Sequence, residues 1–355
     1  MPWLPDVTRA PFAAAPVATF VPAPADGVLP EGFFSTSNLP TYVRLKDGWQ
    51  APVRPRMDCA VVRRGGTLEA LEPRKVRQGE PVLAALDEHG AEGVVVSSDG
   101  FLGQTYGANE FQFMRTEVSR ERPVNYDDLA ARLRREKERH GFTIWITGPA
   151  LVHARARGDF EWLIRNGYVD AVLAGNAVAV HDIEASIFGT TLGMDNAGRP
   201  TQGGHGLHMR AINAVRAAGS IENAVRHGLI TSGIMHALVT TKIPFVLAGS
   251  IRDDGPLPGV ITDNLDAQDA MREYTVKATA AVFVATALHA IAVGNMLPAF
   301  HTHTADGHPE PLTTICVDQT EFVVNKLRDR GTHQAYGVVT NAQDFMHILR
   351  LALDR

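Results

Sequence analysis

The densest polar stretch of the chain is Ala248–Pro258, where Arg252, Asp253 and Asp254 stand among Gly249, Ser250, Ile251, Gly255 and two prolines. It follows Phe245–Ala248, a short apolar run of the kind that makes a buried strand. A guanidinium in such a loop can grip a phosphate or a carboxylate with two parallel bonds. The carboxylates can hold a ribose hydroxyl pair or a substrate ammonium. The competing reading is an Arg–Asp surface pair in a tight turn.

Other groups lie in equivalent places. Gly148-Pro149 ends the run Thr143–Thr147, Gly175-Asn176 ends Val169–Ala174, and Cys316-Val317-Asp318 closes Thr313–Val317. In an open parallel sheet ligands bind outside the carboxyl ends of the strands. A glycine there lets backbone N–H groups come close to a pyrophosphate. His181 lies just beyond Gly175-Asn176 with Asp182 and Glu184 nearby, and such a histidine can work as an acid or base near neutral pH. Adjacent residues do not face each other on a helix, so Asp182 is not automatically its partner.

Weaker signals complete the set. Gly204-His205-Gly206 is the nearest approach to a G-x-G-x-x-G fingerprint, but it lacks the third glycine and follows a long loop. It is read either as an anion-facing turn at a helix N-terminus or as a plain connection. His301 and His303, with Asp306 and His308, suggest a metal, but the surrounding prolines favour a polar loop. Cys316 has no local base to lower its pKa and reads as a small buried residue. Asn109-Glu110-Phe111 and Arg115 form a polar, turn-rich stretch that could face a cleft.

Those groups need elements to hold them. Residues 33–124 are β-rich, with apolar runs at 41–45, 59–62, 82–86 and 93–96 separated by Asp-Gly and Gly-Gly turns. From Asn125 the texture alternates short apolar strands with helices, including helices over about 266–291 and 320–328, which predicts a parallel sheet covered on both faces. The fold class is therefore α/β, a β-rich N-terminal domain followed by a parallel-sheet domain. The expected boundaries are an Ala/Pro-rich tail over 1–31, the β-rich domain over 32–124 and the α/β domain over 125–355.

Composition narrows the function. The chain has 355 residues, 45% hydrophobic and 21% charged, which excludes a mostly disordered protein. Its 34 Lys and Arg against 39 Asp and Glu leave a net charge of -5, with no basic stripe for nucleic acid. Two cysteines cannot build a disulfide framework, and a reducing cytoplasm fits. No signal peptide is evident and no segment is apolar enough to span a membrane.

Several long strings together resemble one family: Asp170–Glu184, Ala248–Pro258, Leu288–Pro298 and Cys316-Val317-Asp318, with Ser37–Pro40, Met57-Asp58 and Asn109–Phe111 upstream. They resemble the LOR/SDH-type family, which includes archaeal ornithine cyclodeaminases and the C-terminal domain of cyanobacterial arginine dihydrolase/ornithine cyclodeaminase proteins. The resemblance runs from about residue 32 to the C-terminus and omits the Ala/Pro-rich segment. It implies an NAD-binding domain of non-standard Rossmann-like type, an amino acid substrate and a homo-oligomer. The implied chemistry oxidises the α-carbon of ornithine with NAD as the hydride acceptor. The side-chain amine then attacks the imine, ammonia leaves, and the cyclic imine is reduced to proline.

For that chemistry, strand-end position and charge make Asp253, Asp254, His181 and Asp318 the catalytic candidates, and Asn109, Glu110, Arg115 and Arg252 the substrate-binding ones. The cofactor candidates are Gly148, Pro149, Gly175, Asn176, Gly204, His205, Gly206, Gly249, Ser250, Ile251, Gly255, Gly294, Asn295, Met296 and Asp318. Two other activities fit the same residues: an amino or imino acid oxidoreductase releasing NADH, and a non-catalytic NAD sensor. A metal hydrolase built on His301 and His303 is a third.

Overall fold

The computed structural model describes residues 5–37, 39–97, 124–195, 197–253, 255–298, 300–302, 309–320 and 335–355. The chain divides into two compact units, Met1–Asn125 with Pro298–Leu312, and Tyr126–Leu297 with Thr313–Arg355.

In the first unit seven strands form two antiparallel sheets. They are β1 (Thr19–Pro22), β2 (Thr41–Leu45), β3 (Gly48–Gln50), β4 (Ala60–Arg64), β5 (Thr67–Leu71), β6 (Pro81–Ala84) and β7 (Val94–Val96). The sheet orders are β1-β6-β4-β5 and β3-β2-β7. Alternation puts Val43, Val61, Leu68, Leu83 and Val94 on inward faces, where they form one buried cluster drawn from both sheets. Arg56 and Glu72 are both buried in this unit and pair at 2.7 Å.

The segment expected as a tail is corrected over its described part. Thr19–Pro22 pairs with Pro81–Ala84, and Phe12 is buried edge-on against Tyr42 and Trp49. The prolines hide this in the sequence, because proline is tolerated on an edge strand, and β1 is one.

The second unit opens with helix α1 (Tyr126–Glu138) and strand β8 (Thr143–Thr147), then α2 (Ala150–His153), α3 (Arg157–Arg165), β9 (Ala171–Gly175) and α4 (Asn176–Phe188). Next come α5 (Leu207–Ala218), α6 (Ile221–Arg226), α7 (Gly233–Thr241), β10 (Phe245–Ala248), α8 (Asn264–Thr275), β11 (Ala280–Val284) and α9 (Ala287–Gly294). A hairpin of β12 (Phe300–Thr302) and β13 (Pro309–Pro311) belongs to the first unit. β14 (Thr313–Asp318), β15 (Ala335–Val339) and a C-terminal helix, Ala342–Leu353, complete the second.

All pairings in its six-stranded sheet are parallel, in the order β10-β9-β8-β11-β14-β15. Renumbered within the unit this is 3-2-1-4-5-6, the order of dinucleotide-binding sheets. The strands β8 and β11 are buried at every position, as a sheet covered on both faces requires.

One expectation is overturned here. The helical reading of 266–291 is interrupted by β11, which pairs with both β8 and β14. Ala280 and Ala281 carry good helix propensity, but a central slot between two strands outweighs it. The missed strand matters, since β8 and β11 flank the point where the strand order reverses. Most of the helix expected over 320–328 lies outside the described residues.

Candidate functional site

At the reversal point the turns after β8 and β11 touch. Gly148 donates its N–H to Val284 O at 2.8 Å. A Cβ on Gly148 would lie 2.9 Å from Ala285 Cα and 3.1 Å from Thr286 N, closer than real contacts allow. Glycine is therefore required here by the approach of two backbones. Thr147, the last residue of β8, is fully buried, and its Oγ1 has no hydrogen-bond partner among the described residues. Such an orphan is uncommon in a native interior and marks a place for a missing partner.

One strand over, Gly175 is the N-cap of α4 in an extended conformation and makes no side-chain cap bond. The first N–H groups of α4 are thus left without a side-chain acceptor at the carboxyl end of β9. Asn176 is buried and its Oδ1 accepts Leu257 N–H at 3.1 Å, which ties α4 to the polar loop after β10. That loop is closed by its own residues. Gly249 donates to Ile261 O at 2.8 Å, and Ser250 N–H donates to Asp253 Oδ2 at 2.8 Å. Asp253 therefore shapes the turn, while Ser250, Ile251 and Arg252 project as an exposed tip. At the end of β14, Asp318 Oδ1 accepts both the N–H and the hydroxyl of Thr320 at 2.8 Å.

So one edge of one sheet gathers Gly148, Pro149, Gly175, Asn176, Gly249, Ser250, Ile251, Arg252, Asp253, Gly255 and Asp318. Gly294, Asn295 and Met296 close the far end of α9, where Asn295 Oδ1 is buried without a partner among the described residues. Asn109, Glu110, Arg115 and Asp254 lie outside the described residues, as do His303, Asp306 and His308.

Gly204, His205 and Gly206 are placed elsewhere. α4 runs from Asn176 for 13 residues, about 18 Å at the usual rise. Near its far end Glu184 accepts from Thr190 Oγ1, Leu192 N and Gly193 N at 2.9–3.1 Å. Gly193 packs backbone to backbone on Gly204, so this turn sits with the distal end of α4. α5 then returns, and Arg216 near its end donates to Pro256 O at 2.9 Å. Gly204 has no room for a Cβ because Gly193 O would lie 2.6 Å away, whereas a Cβ on Gly206 would meet nothing within 4 Å.

His181 lies about one and a half turns into α4. Its ring packs on His153 at 4.6 Å, and its Nδ1 stands 3.5 Å from Glu184 Oε2. Asp182 points to another partner: it is fully buried, with Arg157 Nε at 2.6 Å and the N–H groups of Ile234 and Met235 at 2.9 and 2.7 Å. Burial pushes its carboxyl up, against Arg157 and the two N–H groups that pull it down.

Glu184 is held below the usual carboxylate range: burial raises it, but the His181 contact and the bonds from Gly193, Thr190 and Leu192 outweigh that. A depressed folded value contributes stability above the unfolded pKa, about 4.3. That stability is lost as pH falls through the lower folded value. Protection from hydrogen exchange at residues 190–193, taken relative to the unfolded chain at the same pH, is therefore expected to be high at pH 7 and to be lost at acid pH as Glu184 is protonated. Glu184→Gln should remove that pH dependence.

The sequence reading missed Thr147 and His289. His289, on α9, has its Nε2 3.2 Å from Leu173 O, and burial lowers its pKa, so it is neutral and donates there. It stood inside one of the family-like strings, but nothing in its neighbours marked it. Cys316 is fully buried and its thiol is pushed up to about 12 by burial; Cys59 is buried too. A thiol reagent at pH 8 should find none reactive in the folded protein and both after denaturation. Rapid labelling of Cys316 in the folded state would contradict this burial.

The strand order and edge turns define a Rossmann-type α/β unit. A family model for the C-terminal Rossmann fold of ArgZ-like arginine dihydrolases matches residues 127–349, and its companion first region matches 40–126. An ornithine cyclodeaminase of Methanopyrus kandleri is 43% identical over 97% of this chain and 81% of its own length. A LOR/SDH protein structure from Methanococcus maripaludis superposes with a TM-score of 0.85 at 38% identity, covering 96% of this chain and 99% of that one. AgrE in its ternary complex with ornithine and NAD+ gives a TM-score of 0.60 at 35% identity, over 96% of this chain and 46% of AgrE. The chain belongs to the LOR/SDH-type family that contains the archaeal ornithine cyclodeaminases and the ArgZ-like C-terminal domains.

Proposed function

We propose that the protein is an NAD-dependent ornithine cyclodeaminase that converts L-ornithine to proline and ammonia with no net redox change. The observation that carries the reading is the carboxyl edge at the β8/β11 reversal point, within a chain similar over nearly its whole length to an ornithine cyclodeaminase. The edge suits a dinucleotide: Gly148 permits the close approach of two turns, Thr147 Oγ1 is a buried polar atom awaiting a partner, and α4 presents an uncapped N-terminus. Thr147, Gly148, Gly175 and the loop from Gly249 are the residues that would hold it. When bound, NAD would supply a reversible hydride acceptor for the substrate α-carbon.

The chain's own groups would do the rest. Ornithine has one carboxylate and two ammonium groups. Arg252 or Arg115 would take the carboxylate bidentately. Asp254 or Glu110 would orient the side-chain ammonium, while Asp253 keeps the loop in shape. An attacking amine must lose a proton and the departing amine must gain one, and His181 or Asp318 would move them. Asn109 completes the proposed substrate set, and Gly294, Asn295 and Met296 the cofactor set. We place the enzyme in the cytoplasm as a homo-oligomer; among the described residues no helix is long and apolar enough to cross a membrane.

The test is stoichiometry. Incubation with NAD+ and L-ornithine should yield proline and ammonia in equal amounts with no rise in reduced nicotinamide. Ammonia with matching NADH accumulation would instead favour a dehydrogenase.

A further inference from the structure

A second cavity in the Rossmann-type unit has no part in the strand-edge site. It is a solvent-open cavity of about 470 Å³, walled by the α2–α3 elbow on one side and by the loop after α4 on the other. That volume is within the range of small-molecule pockets. None of the residues gathered at the carboxyl edge of the sheet lines it.

Its chemistry is two-sided. Leu192 and Met194, on the loop side, give it an apolar wall, and both are more exposed than large apolar side chains usually are. Opposite them stand His153, Arg155 and Arg157. Arg157 is already neutralised by Asp182. Arg155 is not: among the described residues its guanidinium has no hydrogen-bond or ion-pair partner. It reaches across the cavity, with one terminal nitrogen 3.9 Å from where a Cβ on Gly198 would be.

The backbone supports that placement. Arg155 has φ 62, a left-handed conformation disfavoured for a residue with a Cβ. The turn between α2 and α3 holds it there by hydrogen bonds from Arg155 N to Val152 O and from Ala156 N to Leu151 O. These two bonds close the C-terminus of α2 in the usual left-handed cap, which fixes where the Arg155 side chain leaves the backbone. The next helix, α3, starts at Arg157 with no side-chain cap, leaving N–H donors on the same wall. Asp195, another lining residue, accepts Ala197 N–H and Arg199 N–H on Oδ1, which fixes the loop and adds one carboxylate to the cavity wall.

We propose that this cavity binds a small monocarboxylate with an apolar body, its carboxylate on Arg155 and its body against Leu192 and Met194. One free guanidinium matches one carboxylate bidentately. The single opposing carboxylate of Asp195 disfavours a dianion such as a phosphate. The loop carrying Leu192 and Met194 hangs on Glu184, so occupancy would brace the outer end of α4.

The probes are benzoate, hexanoate, benzamide and inorganic phosphate, titrated calorimetrically into the full-length protein. Benzoate or hexanoate should saturate, with benzamide and phosphate at least ten-fold weaker. Arg155→Gln should weaken the carboxylate at least ten-fold, and Arg155→Lys less. Both variants lie on the surface and should keep the parent's melting temperature and ornithine turnover. Bound carboxylate should also shift the His153 ring resonances in the parent. Binding that survives Arg155→Gln unchanged, preference for phosphate, or no saturable carboxylate binding would each overturn the proposal. The proposal stands apart from the cyclodeaminase reading, because no lining residue is one proposed to hold ornithine or NAD and the binding titration uses neither.

Discussion

Gly148→Ala is expected to weaken NAD binding roughly ten- to hundred-fold and to lower turnover with it. The added methyl has no space: Ala285 Cα and Thr286 N both stand within 3.1 Å of its position. Neither neighbour is a flexible side-chain end, so the turns after β8 and β11 must move apart. Overpacking of this kind costs about 1–3 kcal/mol, and a tenfold change in affinity corresponds to about 1.4 kcal/mol. The movement occurs at the strand-order reversal, where dinucleotides bind in this class of sheet. Gly158→Ala is the control, because a Cβ there meets nothing within 4 Å. Calorimetric titration of NAD+ into the parent and both variants checks the result. Equal affinity for parent and Gly148→Ala would remove this turn from the cofactor site.

Asp182→Ala is expected to be the most destabilising single change in the second unit, by about 3–5 kcal/mol, as for a buried ion pair losing one partner. The carboxylate is fully buried and serves three elements at once. It belongs to α4, pairs with Arg157 of α3, and accepts two N–H groups from the start of α7. Removing it strands a guanidinium and leaves two buried donors unpaired, each of which carries its own penalty. Arg157 cannot swing away freely, since it lies directly on Gly233, which at φ 91 admits no Cβ. A thermal melt should fall by roughly 10 °C. Asp182→Asn should fall less, keeping one acceptor oxygen. A fall under about 2 °C for Asp182→Ala would show that the three helices are held by their apolar contacts alone.

Both effects rest on features of unequal visibility in the sequence. β8, β9, β10 and β14 were legible because each is a short apolar run closed by glycine or aspartate. The β-rich character of 33–124 was legible for the same reason, through turn residues between short runs. β11 was not, since its alanines read as helix and only the two neighbouring strands make it a strand. β1 was hidden by flanking prolines, which disguise an edge strand as a linker. Within the site, the strand-end rule brought Gly148, Gly175, Gly249 and Asp318 to one edge, a result of chain direction alone. Partnerships could not be read in the same way. Asp182 meets residues 25 and 53 positions away, and nothing in its neighbours names them. Gly204 could be read from the sequence as an anion-facing turn or a plain connection, and its packing on Gly193 was not legible there. Asn109, Glu110, Arg115 and Asp254 lie outside the described residues, and their roles stay proposals from position and charge.

The measurement that tests the central claim most directly uses L-ornithine carrying deuterium at the α-carbon, with NAD+ and the purified full-length protein. Internal recycling returns the same hydrogen to the same carbon. Proline should therefore form with deuterium retained at C2, in equal amount with ammonia and without net NADH. Proline with hydrogen from solvent at C2, or deuterium accumulating in reduced nicotinamide without proline, would contradict the account.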